Sequence, residues 1–220
     1  MIPTGEIQGI QYGICELSDL DEMGTLLAEI FARFDPPPVA MHITPAEFEK
    51  FIRCFLPGVE TDGLTIVARD AESKQMVGAL LTEDAAAPLP SGLDLLSGKF
   101  DPIFNLLEQL SVDYWEGQEP SPGEFLHFFL LGVAQPHFGR GIAQNLVTAC
   151  VENGVQKGYR VGVTEATNSV SQHIFRKAGF VERVQRSYRD YRYQGDAVFA
   201  SIEGHTGPIM MDRQLKATES

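Results

Sequence analysis

The segment that decides the fold is residues 125–143, FLHFFLLGVAQPHFGRGIA. Its first nine residues are almost continuously apolar, which predicts a central strand covered on both faces. A glycine-containing loop follows at 135–143, and Ile142, Leu146 and Cys150 then recur at helical spacing. The segment therefore predicts a strand, a glycine loop and a helix in direct succession.

The start of this predicted helix is suited to hold a phosphate group. Helix N-termini leave backbone N–H groups unpaired and carry partial positive charge. Gly139 and Gly141 let the backbone approach an anion closely, and Arg140 adds a charged donor. The Walker pattern lacks its Lys-Ser/Thr here, and the dinucleotide pattern G-x-G-x-x-G fails at Gln144. Glycines before a helix also form simple tight turns, so the residues downstream must decide.

Helices and strands alternate over the rest of the chain. Strands are predicted at 10–15, 64–69, 76–82, 125–133, 159–165, 180–188, 196–202 and 208–214. Helices are predicted at 18–34, 44–56, 103–115, 142–157 and 168–177. Ser18–Asp21 is a predicted capping box, and Thr44–Glu47 is a helix start with a cap, a proline at the first helical position and an acid at the third. Pro36–Pro38 and Pro57-Gly58 should end the first two helices, and 1–9 and 216–220 should be irregular ends. This order predicts an α/β fold, a mixed sheet with helices on both faces.

Composition excludes several classes of function. The net charge of −13 argues against nucleic acid or an anionic membrane as partner. No run of about 18 apolar residues occurs, and the N-terminus lacks the basic and apolar regions of a signal peptide. Three scattered cysteines, Cys15, Cys54 and Cys150, form no C-x-x-C pair, so we expect buried thiols, no metal and a cytoplasmic location.

The second half of the chain resembles the GNAT N-acetyltransferase superfamily. That family's coenzyme loop, Q/R-x-x-G-x-G/A, is met at Gly141 and Ala143, with Phe138 in place of Gln/Arg. Its next motif, N-x-x-A-x-x-x-Y-x-K-x-G-F, is met by Asn168, Lys177, Gly179 and Phe180, whereas Ser171 and Phe175 replace the alanine and the tyrosine. The resemblance implies the GNAT acyl-CoA N-acyltransferase fold, one domain over 1–220 with its coenzyme-binding core at about 124–180.

Two further segments look like the insect, dopamine-type arylalkylamine N-acetyltransferases. The tail from Arg189-Asp190-Tyr191 through Gln194–Phe199 to Met210 is similar to the ending of that subgroup. The segment Phe31–Pro36 is similar to its F-x-x-D-E-P entry, with Asp35 at the glutamate. The resemblance implies acetyl-CoA as cosubstrate and a small primary amine, such as an arylalkylamine, as acceptor.

The resemblance also implies which residues contact the coenzyme. The main chain of Val133 would donate to the oxyanion and that of Leu131 would bind the pantetheine arm. The remaining predicted coenzyme contacts are Phe138, Gly139, Arg140, Gly141, Ile142, Ala143, Thr167, Asn168, Ser171, Phe175 and Lys177.

Acetyl transfer needs a neutral amine, but an alkylamine has a pKa near ~10 and is mostly protonated at neutral pH. A base must take that proton. Asp35, held between a helix and three prolines, is one candidate, although an aspartate before proline often only initiates a turn. His127 is the other candidate base, and a histidine side chain titrates near neutral pH. It lies six residues before Val133, which predicts that both side chains share one face of the strand. A lone histidine in a strand is, however, often structural. The family's motif tyrosine often gives a proton to the departing thiolate, but Phe175 has no hydroxyl. The resemblance to the insect-type enzymes implies Ser171 as the proton donor, with Thr167 as a second choice.

Other functions remain open from the sequence. The same fold could act on a polyamine, an aminoglycoside or a protein N-terminus, as monomer or homodimer. The departures at Phe138 and Phe175 also suit a coenzyme A-binding sensor without turnover.

Overall fold

The computed structural model describes residues 5–215, apart from the side chain of Glu60. The strands are β1 Glu6–Ile7, β2 Ile10–Ile14, β3 Ile66–Asp70, β4 Met76–Asp84, β5 Phe125–Val133, β6 Val161–Ala166, β7 Val181–Gln185 and β8 Ile209–Gln214. The α-helices are α1 Leu20–Phe34, α2 Pro36–Ala40, α3 Pro45–Asp62, α4 Asp101–Trp115, α5 Ile142–Gln156 and α6 Ser169–Lys177. Short 3₁₀ turns occupy Leu17–Asp19, Leu93–Leu95 and Gln135–His137.

The strands form one mixed sheet in the order β1-β2-β3-β4-β5-β6-β8-β7. Every neighbouring pair is antiparallel except β5 and β6, which run parallel. Helices α5 and α6 pack on one face, and α1, α3 and α4 pack on the other, each over its own apolar core. The predicted fold class, a mixed sheet covered on both faces, is confirmed.

A bulge in β5 changes which side chains share a face. Leu81 lies opposite Leu130 and Thr82 lies opposite Phe128, so Phe129 is an extra residue on β5. An extra residue reverses the alternation of side chains beyond it. Phe128 and Val133 accordingly both belong to the core beneath α5, although they are five residues apart.

The prolines of the first half do not act as predicted. Helix α1 does end before Pro36, but Pro36–Pro38 then form the first turn of α2, where a missing N–H costs nothing. Pro57 lies inside α3, which continues to Asp62 and ends at Gly63 in the left-handed conformation. Pro57 sits on the exposed side of α3, and the buried Val59 beyond it carries the apolar face onward.

Three local predictions need correction and one is confirmed. The capping box before α1 is formed by Glu16 and Asp19, not by Ser18 and Asp21. The predicted strand 196–202 is a series of turns, and the predicted irregular end 1–9 contains β1. The capping box of Thr44 and Glu47 at the start of α3 is present.

None of the helices within residues 5–215 is long and apolar enough to cross a membrane. Over the same residues, no three His, Cys, Asp or Glu side chains gather as metal ligands would. Cys15 and Cys150 are buried, whereas Cys54 is only half-buried.

Candidate active site

The central feature of the site is a fork where β5 and β6 separate. The two strands pair only at 125–127 with 161–163, and beyond that point they diverge. The Thr164 hydroxyl donates to the Phe128 carbonyl (2.8 Å) at the apex of this fork. The Ala134 N–H donates to Val77 on the β4 side (2.8 Å), so strand alternation directs the Val133 N–H into the fork. The Val133 N–H therefore points away from β4, and its role as oxyanion donor stays a prediction.

The predicted coenzyme loop joins β5 to α5 and leaves room for a ligand. Gly139 and Gly141 have φ of +76° and +77°, and a Cβ on either would meet nothing within 4 Å. Gly141 is the N-cap of α5, which has no side-chain cap, unlike α3 and α6. The first amides of α5 are thus left for solvent or an anion, which fits a coenzyme diphosphate.

The side chain of Arg140 has partners within the protein. Its guanidinium lies 2.7 Å from His137 Nδ1 and donates to the Gln8 carbonyl (3.3 Å) in the β1–β2 turn. To reach a phosphate, Arg140 must exchange these surface contacts for the ligand. Its role in coenzyme binding stays a prediction.

Phe138 stands on the surface beside the helix that ends at Asp35. Its ring packs edge-on against Phe34 at 5.6 Å, and both rings remain partly exposed. The residue that replaces the family's Gln/Arg thus connects the coenzyme loop to the end of α1.

Asp35 lies buried between α1 and α2, and its side chain turns toward the end of β6. Its Oδ1 accepts hydrogen bonds from Thr167 Oγ1 (2.5 Å) and Asn168 Nδ2 (3.1 Å). Although Asp35 is the N-cap of α2, its side chain caps no amide there. The alternative reading of Asp35 as a simple turn initiator therefore does not describe its side-chain contacts.

The environment of Asp35 suits proton transfer. Burial raises the pKa of Asp35 to about 6, against the opposing effect of the Thr167 and Asn168 hydrogen bonds. A carboxylate with this pKa is ionised at neutral pH and is a stronger base than an exposed aspartate.

The first turn of α6 holds Asn168 and Ser171 in a capping box. Asn168 Oδ1 accepts from the Val170 and Ser171 amides (3.1 and 2.9 Å). The Ser171 hydroxyl donates to the Asn168 carbonyl (2.9 Å). Proton donation by Ser171 to a thiolate would have to interrupt this local bond, and it stays a prediction.

His127 lies near the closed end of the fork, between two carboxylates. Its Nδ1 is 3.1 Å from Glu83 on β4, and its Nε2 is 2.7 Å from Glu165 on β6. Burial opposes the charge on His127, but Glu165 and Glu83 outweigh it and raise the pKa to about 10. His127 is therefore an imidazolium at neutral pH, with both ring nitrogens donating.

The expectation that His127 and Val133 share a face is wrong. His127 stacks beside Phe129 (5.1 Å) on the side of α3 and α4, whereas Val133 lies in the core beneath α5. The bulge at Phe129 is the cause, because it shifts the alternation by one residue.

The remaining predicted coenzyme contacts differ in how deeply they are buried. Phe175 is buried and packs against Phe128 and Phe180, so it serves the core. Ile142 is buried, Leu131 and Ala143 are half-buried against the same core, and Lys177 is exposed in the last turn of α6. Their predicted roles in binding coenzyme stay predictions.

Sequence reasoning missed three residues of this region. Glu83 and Glu165 hold His127, and the Tyr188 hydroxyl donates to the Thr167 carbonyl (2.7 Å) beneath Asp35. One signal was present: Glu165 follows the buried residues of β6, VGVT, and a carboxylate in such a strand needs a partner.

Several solved structures share this fold. The C-terminal condensation domain of Ebony in complex with beta-alanyl-dopamine superposes with a TM-score of 0.83 at 15% identity, over 93% of this chain and 98% of that one. Arylalkylamine N-acetyltransferase 2 from Aedes aegypti gives 0.81 at 19% identity, over 95% and 100%. The Drosophila melanogaster polyamine N-acetyltransferase, which forms N-acetylagmatine, gives 0.74 at 20% identity, over 94% and 100%. At these identities the likeness shows the fold alone.

Sequence comparison adds the family. No curated protein sequence matches this chain. Residues 103–180, which contain β5, the glycine loop, α5, β6 and α6, match the Acetyltransferase (GNAT) family. That match includes both motifs, so residues 103–180 of this chain are similar in sequence to GNAT-family acetyltransferases. The fold of the described chain agrees with this likeness.

Proposed function

We propose that this protein transfers the acetyl group of acetyl-CoA to a primary amine of a small molecule, with Asp35 as the general base. The observation that carries the proposal is the buried Asp35 carboxylate, hydrogen-bonded to Thr167 just beyond β6, where β5 and β6 have separated. Its raised pKa of about 6 suits a base that works at neutral pH.

The reaction divides the work among a few groups. The substrate ammonium gives one proton to Asp35, and its neutral nitrogen then bonds to the acetyl carbon. The carbon–sulfur bond breaks, and the nitrogen loses a second proton to solvent as the amide forms. The Val133 N–H in the fork stabilises the charge that develops on the carbonyl oxygen. The thiolate leaves with the sulfur electron pair and takes a proton from Ser171 or solvent, since its own pKa of about 8.5 makes it a fair leaving group.

The glycine loop and the start of α5 bind the coenzyme. The diphosphate meets the open backbone at Gly139 and Gly141 and the uncapped amides of α5. We propose that the coenzyme-binding core extends over 124–180 within one domain.

We assign the base to Asp35 and not to His127. An imidazolium with a pKa of about 10, held by Glu83 and Glu165, has no free nitrogen to accept a proton at neutral pH. Asp35 makes its described side-chain hydrogen bonds through Oδ1 only, which leaves Oδ2 for the amine.

For the acceptor we propose an arylalkylamine, because the rings of Phe34 and Phe138 pack together, stay partly exposed and offer an aromatic surface at the end of α1 that precedes Asp35. Thiol release from acetyl-CoA should be measured with phenethylamine, agmatine, an aminoglycoside and an N-terminal peptide at equal concentrations. The highest kcat/KM is expected with phenethylamine. A higher kcat/KM with agmatine than with phenethylamine would contradict an arylalkylamine as the acceptor. No turnover with any amine would contradict the proposed function.

A further inference from the structure

We infer that Thr167 and Asn168 are positioning residues that orient the Asp35 carboxylate for proton transfer, an inference that rests on the proposed function. The family resemblance alone would give both residues to the coenzyme. Their side-chain hydrogen bonds instead lead to the base.

The Asn168 amide has both of its ends engaged. Its oxygen accepts from the amides of Val170 and Ser171, so its nitrogen must be the group that faces Asp35. This fixes the orientation of the amide, because rotating it by half a turn would break the cap of α6 and place two oxygens together. Asn168 therefore links the first turn of α6 to the Asp35 carboxylate by hydrogen bonds.

Thr167 is held from a second direction. Its carbonyl accepts from the Tyr188 hydroxyl (2.7 Å), and its own hydroxyl donates to Asp35 Oδ1 (2.5 Å). Tyr188 is buried and is the titratable neighbour of Asp35; burial first, and then the Asp35 charge, raise the Tyr188 pKa. Tyr188 thus stays neutral and acts on Asp35 through the backbone of Thr167.

The two donors act on the same oxygen. Both reach Oδ1, and Asp35 uses neither oxygen to cap α2, although it is the N-cap residue. The carboxylate is consequently oriented by residues 167 and 168, with Oδ2 kept for the incoming amine. Loss of either donor should loosen this orientation and raise the pKa of Asp35, since both hydrogen bonds lower it.

The test uses Thr167→Val and Asn168→Ser, of which the second keeps a side chain able to cap α6. Thr167→Ser should rescue the hydroxyl. Thr148→Val is the matched control, because it removes a threonine hydroxyl whose hydrogen bond within residues 5–215 is to the Gln144 carbonyl on α5. Each variant is first checked for folding by thermal melting.

We expect Thr167→Val and Asn168→Ser to lower kcat about 10- to 100-fold, as for loss of a hydrogen bond to a charged group. The affinity for acetyl-CoA should be unchanged, Thr148→Val should behave as wild type, and Thr167→Ser should restore most of the kcat that Thr167→Val loses. In an Asp35→Asn background, Thr167→Val should cause no additional loss of kcat. An equal additional loss, or a loss of coenzyme affinity at unchanged kcat, would overturn the inference.

A readout without turnover separates this inference from the proposed function. The Asp35 carboxyl carbon can be followed by NMR, assigned as the signal absent from Asp35→Asn. Its titration midpoint should rise in Thr167→Val and Asn168→Ser; an unmoved midpoint in both overturns the inference alone. A wild-type rate for Asp35→Asn would instead overturn the proposed function.

Discussion

Asp35 and Thr167 are 132 positions apart in the sequence, yet the hydroxyl of one lies 2.5 Å from the carboxylate of the other. The contact joins the end of α1 to the end of β6 across the fork of the sheet. A residue of the N-terminal half thereby enters a candidate site whose predicted coenzyme loop lies in the C-terminal half. The candidate site is consequently a product of the tertiary fold and not of one motif.

The pH dependence of the reaction should follow Asp35. A base accepts a proton only when ionised, so kcat/KM for the amine should fall about tenfold per pH unit below a pKa of about 6. Initial rates of thiol release between pH 4.5 and 8 measure this, with a constant fraction of free amine. A flat profile across pH 5 to 7 would exclude Asp35 as the titrating group.

Gly141→Val should weaken coenzyme binding at least about tenfold, because the side chain would fill the space where a phosphate meets the backbone at the start of α5. Gly158→Val is the matched control at the other end of α5. Both glycines have positive φ, +77° and +92°, and open surroundings, so both variants suffer similar backbone strain. Calorimetry with acetyl-CoA decides: equal affinities of the two variants would show that the Gly141 loop does not hold the coenzyme.

His127→Gln should destabilise the fold by about 3 kcal/mol near neutral pH, since the half-buried carboxylates of Glu83 and Glu165 lose their cation. For a chain of this length the melting temperature should fall by roughly 6–12 °C. His173→Gln, on the exposed side of α6, is the control.

The pH dependence of that difference gives a stricter check. The pKa of His127 rises from its usual 6.5 to about 10 in the folded protein, so its stabilisation is complete below 6.5 and is lost as pH rises through 10. The gap between wild type and His127→Gln should therefore shrink between pH 7 and 10.5. A stability difference that stays constant over this range would mean that His127 does not form an ion pair with Glu83 and Glu165.

Much of the fold could be predicted because local signals were strong. β5 has the predicted bounds, 125–133, since a long apolar run excludes a surface strand. Asn168 and Thr44 begin helices as predicted, because a side chain that accepts from the first amides is a short-range feature.

Other features depend on tertiary packing that a sequence does not display. The bulge at Phe129 is invisible in an apolar run, which carries no alternation to interrupt. The apolar residues of 196–202 predicted a strand, but buried Phe199 instead anchors turns by packing on Tyr188 and Tyr191.

The candidate site was predictable in its types of residue but not in its pairings. The chemistry of amine acetylation identified Asp35 and His127 as the two candidate bases. What separates them is their surroundings: hydrogen-bond donors around Asp35, and the carboxylates Glu83 and Glu165 around His127. These neighbours come from other strands, so no local pattern could have ranked the two.

The most direct measurement is the single-turnover rate of amide formation by wild type and Asp35→Asn, with saturating acetyl-CoA and amine at pH 7.5. The account predicts a rate about 10²- to 10⁴-fold lower for Asp35→Asn. Its coenzyme affinity and fold should be unchanged, because the asparagine oxygen can still accept from Thr167. The exposed Asp94→Asn should match wild type. A wild-type rate in Asp35→Asn would contradict the account.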